Sequence, residues 1–393
     1  MNVLYISAVS SQALIAKIYH VTGTNPGFAV QKFTRLLLEG MSENNARVST
    51  LSAAPISKSF TKKIFISLPS ELEGDILYNY VPMLNIPILK HLVAFLYTIF
   101  YILRLSPKNK KETVIVCDVL SVSLTIGALF AAKLSSIRCV AIVTDIFGLM
   151  VGAKSTLSRI AAKLNSWYVK KFDKYILLTE QMNERVNPNG KPYIVMEALC
   201  DCQIENLQTT VVNKSQPRIV LYAGGIHERY GLKMLAEAFL KANISNAKLV
   251  YYGSGPYVKE FSELCKKSKN LEYRGVAPND VVVAEELAAT LLINPRFSNE
   301  EFAKYSFPSK NMEFMASGTP LLTTRLPGMP VEYYPYVYMF EEESIEGYSE
   351  TLRRVLDKSD DELFAKGQEA KRFVLQTKNN IYQGKRIVDF LNS

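Results

Sequence analysis

Residues 291–320 read LLINPRFSNEEFAKYSFPSKNMEFMASGTP, and their types and spacing suit chemistry on an anion. An apolar run, Leu291 to Ile293, closes at Asn294-Pro295; Phe307-Pro308 then opens a short helix that Gly318 ends. Such a helix start presents unpaired N–H groups and a positive dipole end, and both favour a phosphate. Arg296 in the loop and Lys310 beside Ser309 at the helix start add full positive charge. Glu313, one turn further in, is an odd companion for an anion unless it accepts hydrogen bonds from sugar hydroxyls. Basic groups for a diphosphate and a carboxylate for a ribose diol together suit a nucleotide. The plainer alternative is a Pro-started helix with solvated charges, and these residues alone leave both open.

The elements behind that stretch alternate. Residues 218–222 form a strand running into Ala223-Gly224-Gly225 and a helix over 232–241. Residues 248–252 run into Gly253-Ser254-Gly255-Pro256 and a helix over 258–267; residues 271–274 lead to Gly275, and a helix over 280–289 follows. Two glycine-bearing strand-to-helix turns put small residues where a backbone can touch a nucleotide, although close packing of helix on strand explains either turn singly. Helices over 344–356, 360–374 and 380–391 complete this half.

The first half starts with a strand at 3–7, a long polar loop to Gly27, a helix over 28–41 and a strand at 47–51. Strands at 113–117 and 139–143 end at Asp118 and Thr144-Asp145, with a helix over 123–134 between them; 174–178 and 193–196 are two more strands. This alternation predicts a parallel doubly wound sheet, whose ligand sites lie at the carboxyl ends of strands, where Asp118 and Asp145 stand. Polar residues 204–217 read as the connection between halves. Residues 92–105, LVAFLYTIFYILRL, are the most apolar stretch and fall short of the ~20 residues of a bilayer span. A core helix is the first expectation. An interfacial helix is the second, given Lys90 and His91 before it and Arg104, Lys108, Lys110 and Lys111 after. Residues 155–171 form an amphipathic helix with Leu157, Ile160, Leu164 and Tyr168 on one face and Lys154, Arg159, Lys163, Lys170 and Lys171 elsewhere.

Composition bounds the rest. The 393 residues are 48% hydrophobic and 21% charged, globular and long enough for two domains. The net charge of +9 sits in the first half: residues 1–200 hold 22 Lys and Arg against 12 Asp and Glu, and 201–393 hold 24 against 25. Lys58, Lys62, Lys63, the cluster at 108–111 and the 155–171 helix make an anionic membrane surface a candidate partner, at about 1 kcal/mol per charge near the surface. Nucleic acid is not expected, because no zinc finger, helix-turn-helix or aromatic-basic RNA signature accompanies the charge. Five scattered cysteines without a CxxC pair, and only three histidines, point to reduced thiols in a cytoplasm and to no metal site. The start, Asn2-Val3-Leu4-Tyr5-Ile6, reads as a buried strand and lacks the basic region of a secretory signal.

The order Gly224-Gly225, Gly231, Gly253-Ser254-Gly255-Pro256, Arg274-Gly275-Val276, Ser306-Phe307-Pro308-Ser309-Lys310, Glu313 and Ala316-Ser317-Gly318-Thr319-Pro320 resembles the nucleotide-sugar half of the family 4 glycosyltransferases. The resemblance covers about residues 218–335, and the first half is compatible with the more variable acceptor domain. It implies an α/β GT-B fold, two Rossmann-like doubly wound domains facing a cleft. The acceptor-binding domain would span 1–203 and the nucleotide-sugar domain 204–376, with a last helix over 377–393 crossing back to the first. It implies transfer of a sugar with retention of configuration and without a bound metal or other cofactor; no Asp-x-Asp motif is present. Carried over by position, Glu313 would hold the ribose hydroxyls and Gly27 would line the donor diphosphate from the first domain. The peptide around Arg274-Gly275-Val276 would meet the base, and Gly224, Gly225, Gly253, Gly255 and Ser309 would join the donor site.

Three departures redirect the assignment. Tyr305 stands where the family usually has a second glutamate facing the donor sugar, so Glu300 or Glu301 is the substitute. Gly225 and Tyr230 stand where an arginine and a lysine are usual, so Arg229, Arg296 and Lys310 are the candidates for the diphosphate. Thr144-Asp145 stands where many members carry a histidine, and Asp145 either contacts a sugar or caps a helix. Asp145, Glu301 and Glu313 are thus the catalytic candidates. The expected activity is hexosyl transfer from a nucleotide sugar to a sugar or lipid-linked acceptor in capsule, exopolysaccharide or similar assembly, at the inner face of the plasma membrane. The rivals are a GT-B sugar-nucleotide epimerase and a catalytically silent GT-B subunit that docks on membranes or partners.

Overall fold

The computed structural model describes residues 1–24, 26–56, 59–86, 88–149, 156–206 and 217–393. Lys58, Lys154, Ser155 and most of the expected connection over 204–217 lie outside them. The chain divides into two compact units, Met1–Leu199 with Asn380–Ser393, and Cys200–Asn379.

The first unit contains β1 (Asn2–Ser7), β2 (Arg47–Ser52), β3 (Phe65–Ile66), β4 (Glu71–Glu73), β5 (Ile76–Tyr80), β6 (Met83–Leu84), β7 (Thr113–Asp118), β8 (Arg138–Val143), β9 (Lys174–Leu177) and β10 (Tyr193–Val195). β3 and β6 pair with each other; the rest form a sheet in the order β10-β9-β8-β7-β1-β2-β5-β4, parallel except for β4. β7 is buried along its whole length, as a parallel strand covered on both faces must be, and its β-branched run supplies the apolar surface. The order reverses between β1 and β7.

Three expectations need correction. The stretch between β1 and Gly27 is not all loop: Gln12–Thr22 is a helix, because Ser11 caps the Leu14 N–H and Leu14, Ile15 and Ile18 bury one face. The apolar stretch is not a core helix. It forms Leu89–Leu103, which buries only Ala94, Thr98 and Ile102. That face packs on the Val122–Ser135 helix, where a Cβ on Gly127 would stand 2.7 Å from the Phe95 carbonyl oxygen. The helix Thr156–Tyr168 buries Tyr168 of the expected face but turns Asn165 inward in place of Ile160 and Leu164, which are exposed. The physical reason is polar: the Tyr168 hydroxyl and the Asn165 amide, at 2.7 Å, both donate to the Val119 carbonyl. Leu157 is not described there.

The last helix, Asn380–Asn392, packs in the first unit against Phe28–Glu43. Two glycines permit the approach, since a Cβ on Gly40 would lie 1.9 Å from the Asn380 carbonyl oxygen and one on Gly384 2.2 Å from the backbone of Gly40.

The second unit contains β11 (Arg218–Ala223), β12 (Ala247–Tyr252), β13 (Leu271–Tyr273), β14 (Leu291–Asn294), β15 (Leu321–Thr323) and β16 (Tyr338–Met339). They form one parallel sheet ordered β13-β12-β11-β14-β15-β16, the doubly wound order with its switch point between β11 and β14. Helices Leu232–Ala242 and Ile345–Leu356 pack on each other, and the stacked Phe340 and Tyr348 rings, 3.7 Å apart, pin the latter to the end of β16.

Candidate functional site

A doubly wound sheet binds ligands outside the carboxyl ends of its strands at the switch point. In the second unit that is where the loops after β11 and β14 meet. Gly231, at φ +79°, closes the first loop, and a Cβ there would lie 2.0 Å from the Pro295 carbonyl oxygen of the second. The Tyr222 hydroxyl donates to the Gly225 carbonyl at 2.9 Å and holds the start of the first loop. A cavity of about 780 Å³ in the first unit, lined by Arg47, Asp75 and Tyr101 among others, lies at the amino ends of β1 and β2 and plays no part here.

Two arginines converge on this point. The Arg229 guanidinium lies 5.3 Å from the Tyr230 ring and 5.7 Å from the Phe302 ring; that of Arg296 lies 5.1 and 5.4 Å from the same two. Arg296 also donates to the Ser306 hydroxyl at 3.3 Å. Among the described residues neither arginine has a carboxylate within ion-pair distance, and the Arg296 Nε–H is buried without a partner. Burial holds the Arg296 pKa below the usual arginine value, and the charge of Arg229 adds to that. Two cations held against the same rings with an unmet buried donor cost stability, about 1–3 kcal/mol for the donor alone. An anion bound between them would offset that cost.

Ser306-Phe307-Pro308 leads from this pair into the helix Ser309–Ser317, whose N-cap is Pro308 and whose start has no side-chain cap. Its first N–H groups are therefore open to an acceptor from outside. A buried chain of hydrogen bonds fixes the helix to the sheet: Asn294 Nδ2 donates to Asn311 Oδ1 at 2.6 Å, Asn311 Nδ2 to Thr323 Oγ1 at 3.3 Å, and Thr323 Oγ1 to the Asn294 carbonyl at 2.9 Å. Asn294, Asn311 and Thr323 were missed as positioning residues. An asparagine inside a helix, one residue after the candidate lysine, was the available signal.

Lys310 and Glu313 form an ion pair of 2.8 Å, with side chains 36% and 44% exposed. Burial pulls the Lys310 pKa down, the Glu313 carboxylate pushes it up, and the balance lies above the usual lysine value. The two residues expected beside diphosphate and ribose thus stand side by side at the helix start.

The glycines divide by role. A Cβ on Gly253, at φ +127°, would lie 1.8 Å from the Gly224 carbonyl oxygen, and one on Gly255 2.1 Å from that of Ile226. Both therefore seat the loop after β12 on the loop after β11, which is the packing alternative raised by the sequence. Gly275, at φ +76°, has open space, as has Gly27 at φ +88°, where it precedes the Phe28–Glu43 helix. The peptide at 274–276 is anchored by Arg274 N–H to the Tyr251 carbonyl, 3.0 Å, and by Gly253 N–H to the Gly275 carbonyl, 2.8 Å. The Arg274 side chain is engaged with Glu272 at 2.7 Å and Glu285 at 2.5 Å, and Val276 is exposed. Glu301 begins a short 3-10 helix, Glu301–Tyr305, that carries Phe302 to the arginines.

In the first unit, Asp145 follows β8, accepts from the Ile146 N–H at 2.7 Å and has its pKa raised by burial. Among the described residues it leads into a turn over 147–149 and caps no helix. Asp118 ends β7, is buried, accepts from the Leu120 N–H at 3.0 Å and has its pKa pushed up by burial to about 6.

Residues 203–373 match the family described as Glycosyl transferases group 1. No curated protein matches the chain in sequence. Among solved structures it is similar over 100% of its length to sucrose-phosphate synthase from Thermosynechococcus elongatus, with 13% identity, TM-score 0.64 and 99% of that chain covered. It is similar to HepE of Anabaena in complex with UDP, with 13% identity, TM-score 0.64 and both chains covered in full. It is similar to the apo form of the lipopolysaccharide outer core galactosyltransferase WaaB, with 14% identity, TM-score 0.59 and both chains covered in full. The group 1 match over the unit that holds the site, together with the full-length likeness in fold, makes this chain a glycosyltransferase of GT-B architecture.

Proposed function

We propose that the chain transfers a hexose, with retention of configuration, from a nucleotide sugar to a lipid-linked or other glycan acceptor in cell-surface polysaccharide assembly. The observation that carries the donor half is the pair Arg229 and Arg296, which has no carboxylate partner among the described residues, beside the uncapped helix start that bears Lys310 and Glu313. These cations take the diphosphate and Glu313 takes the ribose hydroxyls. As the bond from sugar to diphosphate breaks, negative charge grows on the departing phosphate, and fixed cations and helix N–H groups stabilise that state more than the ground state. No metal is needed for this charge. An acceptor hydroxyl attacks from the same face, its proton passing to the leaving phosphate. Asp145 is the proposed sugar contact in the first unit, and Glu301 the proposed replacement for the glutamate absent at Tyr305.

A cell-surface acceptor agrees with the basic first half and with the likeness to a lipopolysaccharide galactosyltransferase, and it puts the protein on the anionic inner face of a membrane. HepE was solved with UDP, so uridine diphosphate sugars are the first donors to test. Purified protein incubated with a panel of nucleotide sugars should slowly release free nucleotide from one of them. Interconversion of two sugar nucleotides would replace this function with epimerisation, and absence of both turnover and binding would leave a silent docking subunit.

A further inference from the structure

We propose that the first unit docks on an anionic lipid bilayer by laying the outer ridge of the Leu89–Leu103 helix into the headgroup region. The ridge is Leu89, Leu92, Leu96, Phe100 and Leu103, each 40% or more exposed. At 3.6 residues per turn the five fall within about 80° of one another. Ala94, Thr98 and Ile102, the buried residues, lie on the opposite side. The helix therefore presents a continuous apolar stripe outward, which a surface helix of a globular unit has no reason to do. The helix it packs against, Val122–Ser135, exposes Phe130 and Leu134 as well. Next to that one, Thr156–Tyr168 exposes Trp167, with the Lys171 ammonium 5.7 Å from its ring centroid. Tryptophan beside lysine is the pairing favoured where an apolar phase meets water.

Charge identifies the occupant. Residues 76–111 contain no aspartate or glutamate. Lys90 follows Leu89, the Arg104 guanidinium lies 4.3 Å from the Phe100 ring, and Lys108 and Lys111 are exposed just beyond the helix. Lys110 donates to the Leu103 carbonyl at 2.9 Å and closes the helix end. A second copy meeting this face by two-fold symmetry would set like charge against like. An anionic lipid surface meets the cations at its headgroups and the stripe just below them. The geometry is in-plane: 15 residues span about 22 Å, less than the ~30 Å of bilayer hydrocarbon, and among the described residues no helix is long and apolar enough to cross a membrane.

This locates the membrane contact of the proposed function, and it is testable apart from transfer. The full chain is floated with vesicles of phosphatidylcholine alone and of phosphatidylcholine mixed with phosphatidylglycerol. The native chain should float with the mixed vesicles and much less with the neutral ones, and part of the binding should survive high salt because apolar insertion is not screened. Leu96→Ser with Phe100→Ser should lower partitioning roughly tenfold or more at any salt, and Lys108→Glu with Lys111→Glu should lower it mainly at low salt. Nucleotide release from the donor should be unchanged in both variants, since none of these residues belongs to the donor site. Undiminished flotation of L96S/F100S, or no flotation of the native chain, overturns the proposal. So does a dimer in sedimentation that L96S/F100S dissociates in the absence of vesicle binding. A failed donor assay beside intact vesicle binding would count against sugar transfer alone and leave the docking face standing.

Discussion

At the scale of single residues, Arg296, Lys310 and Glu313 differ in how their loss should appear. Lys310 and Glu313 are half-exposed partners, and such pairs contribute about 0–1 kcal/mol to stability. Glu313→Ala should therefore weaken nucleotide binding in calorimetry while the melting temperature stays nearly constant; unaltered donor affinity would remove Glu313 from the ribose. Lys310→Ala should likewise spare stability and lower turnover by about 10²-fold, the range for removal of one donor to a developing oxyanion. Arg296 is different because its guanidinium lies against Tyr230 and Phe302. Arg296→Ala should lower turnover while the melting temperature of the ligand-free protein holds or rises, because the like charge beside Arg229 and the unmet buried donor are both removed. A fall in melting temperature that matches the loss of turnover would mean that Arg296 serves the loop and not the donor.

At the scale of elements, the strand ends carry a second titrating group. Asp118 closes β7 with its carboxyl buried and its pKa at about 6, above the ~3.9 of an unfolded chain. A folded-state pKa raised in this way favours the folded protein most below the unfolded value, and the contribution disappears as pH rises through about 6. Asp118→Asn keeps the oxygen that accepts from Leu120 and removes the charge. Melting temperatures of the two proteins should converge near pH 4 and separate in favour of the variant near pH 8. A constant difference across that range would show that the carboxyl is not charged at the cost of folding.

At the scale of the whole molecule, charge is divided between the halves: excess positive charge in residues 1–200, near balance in 201–393. In the proposed function the near-neutral half holds the diphosphate through three local cations, Arg229, Arg296 and Lys310, rather than through net charge. If those cations suffice, a chelator should leave turnover of the donor intact. Activity lost to chelator and restored by magnesium or manganese would show that a metal carries the leaving-group charge.

The sequence by itself determined the alternation of strands and helices, because β-branched runs and glycine-bearing turns are local signals. It also determined the helix start at Pro308 and its end at Gly318, the latter in the left-handed conformation that glycine adopts most readily. Lys310 and Glu313 were legible for the same reason, being three residues apart on one helix. Only the tertiary structure decided which face of an apolar helix is covered. Residues 92–105 are hydrophobic nearly all round, and burial of Ala94 rather than Leu96 depends on Gly127 of another helix. It also decided that Gly253 and Gly255 serve packing, since their neighbours Gly224 and Ile226 are about thirty residues away in the chain. The convergence of Arg229 and Arg296 lay equally beyond the sequence. The two are brought together by β11 and β14 pairing across the sheet, a long-range register that no local pattern encodes.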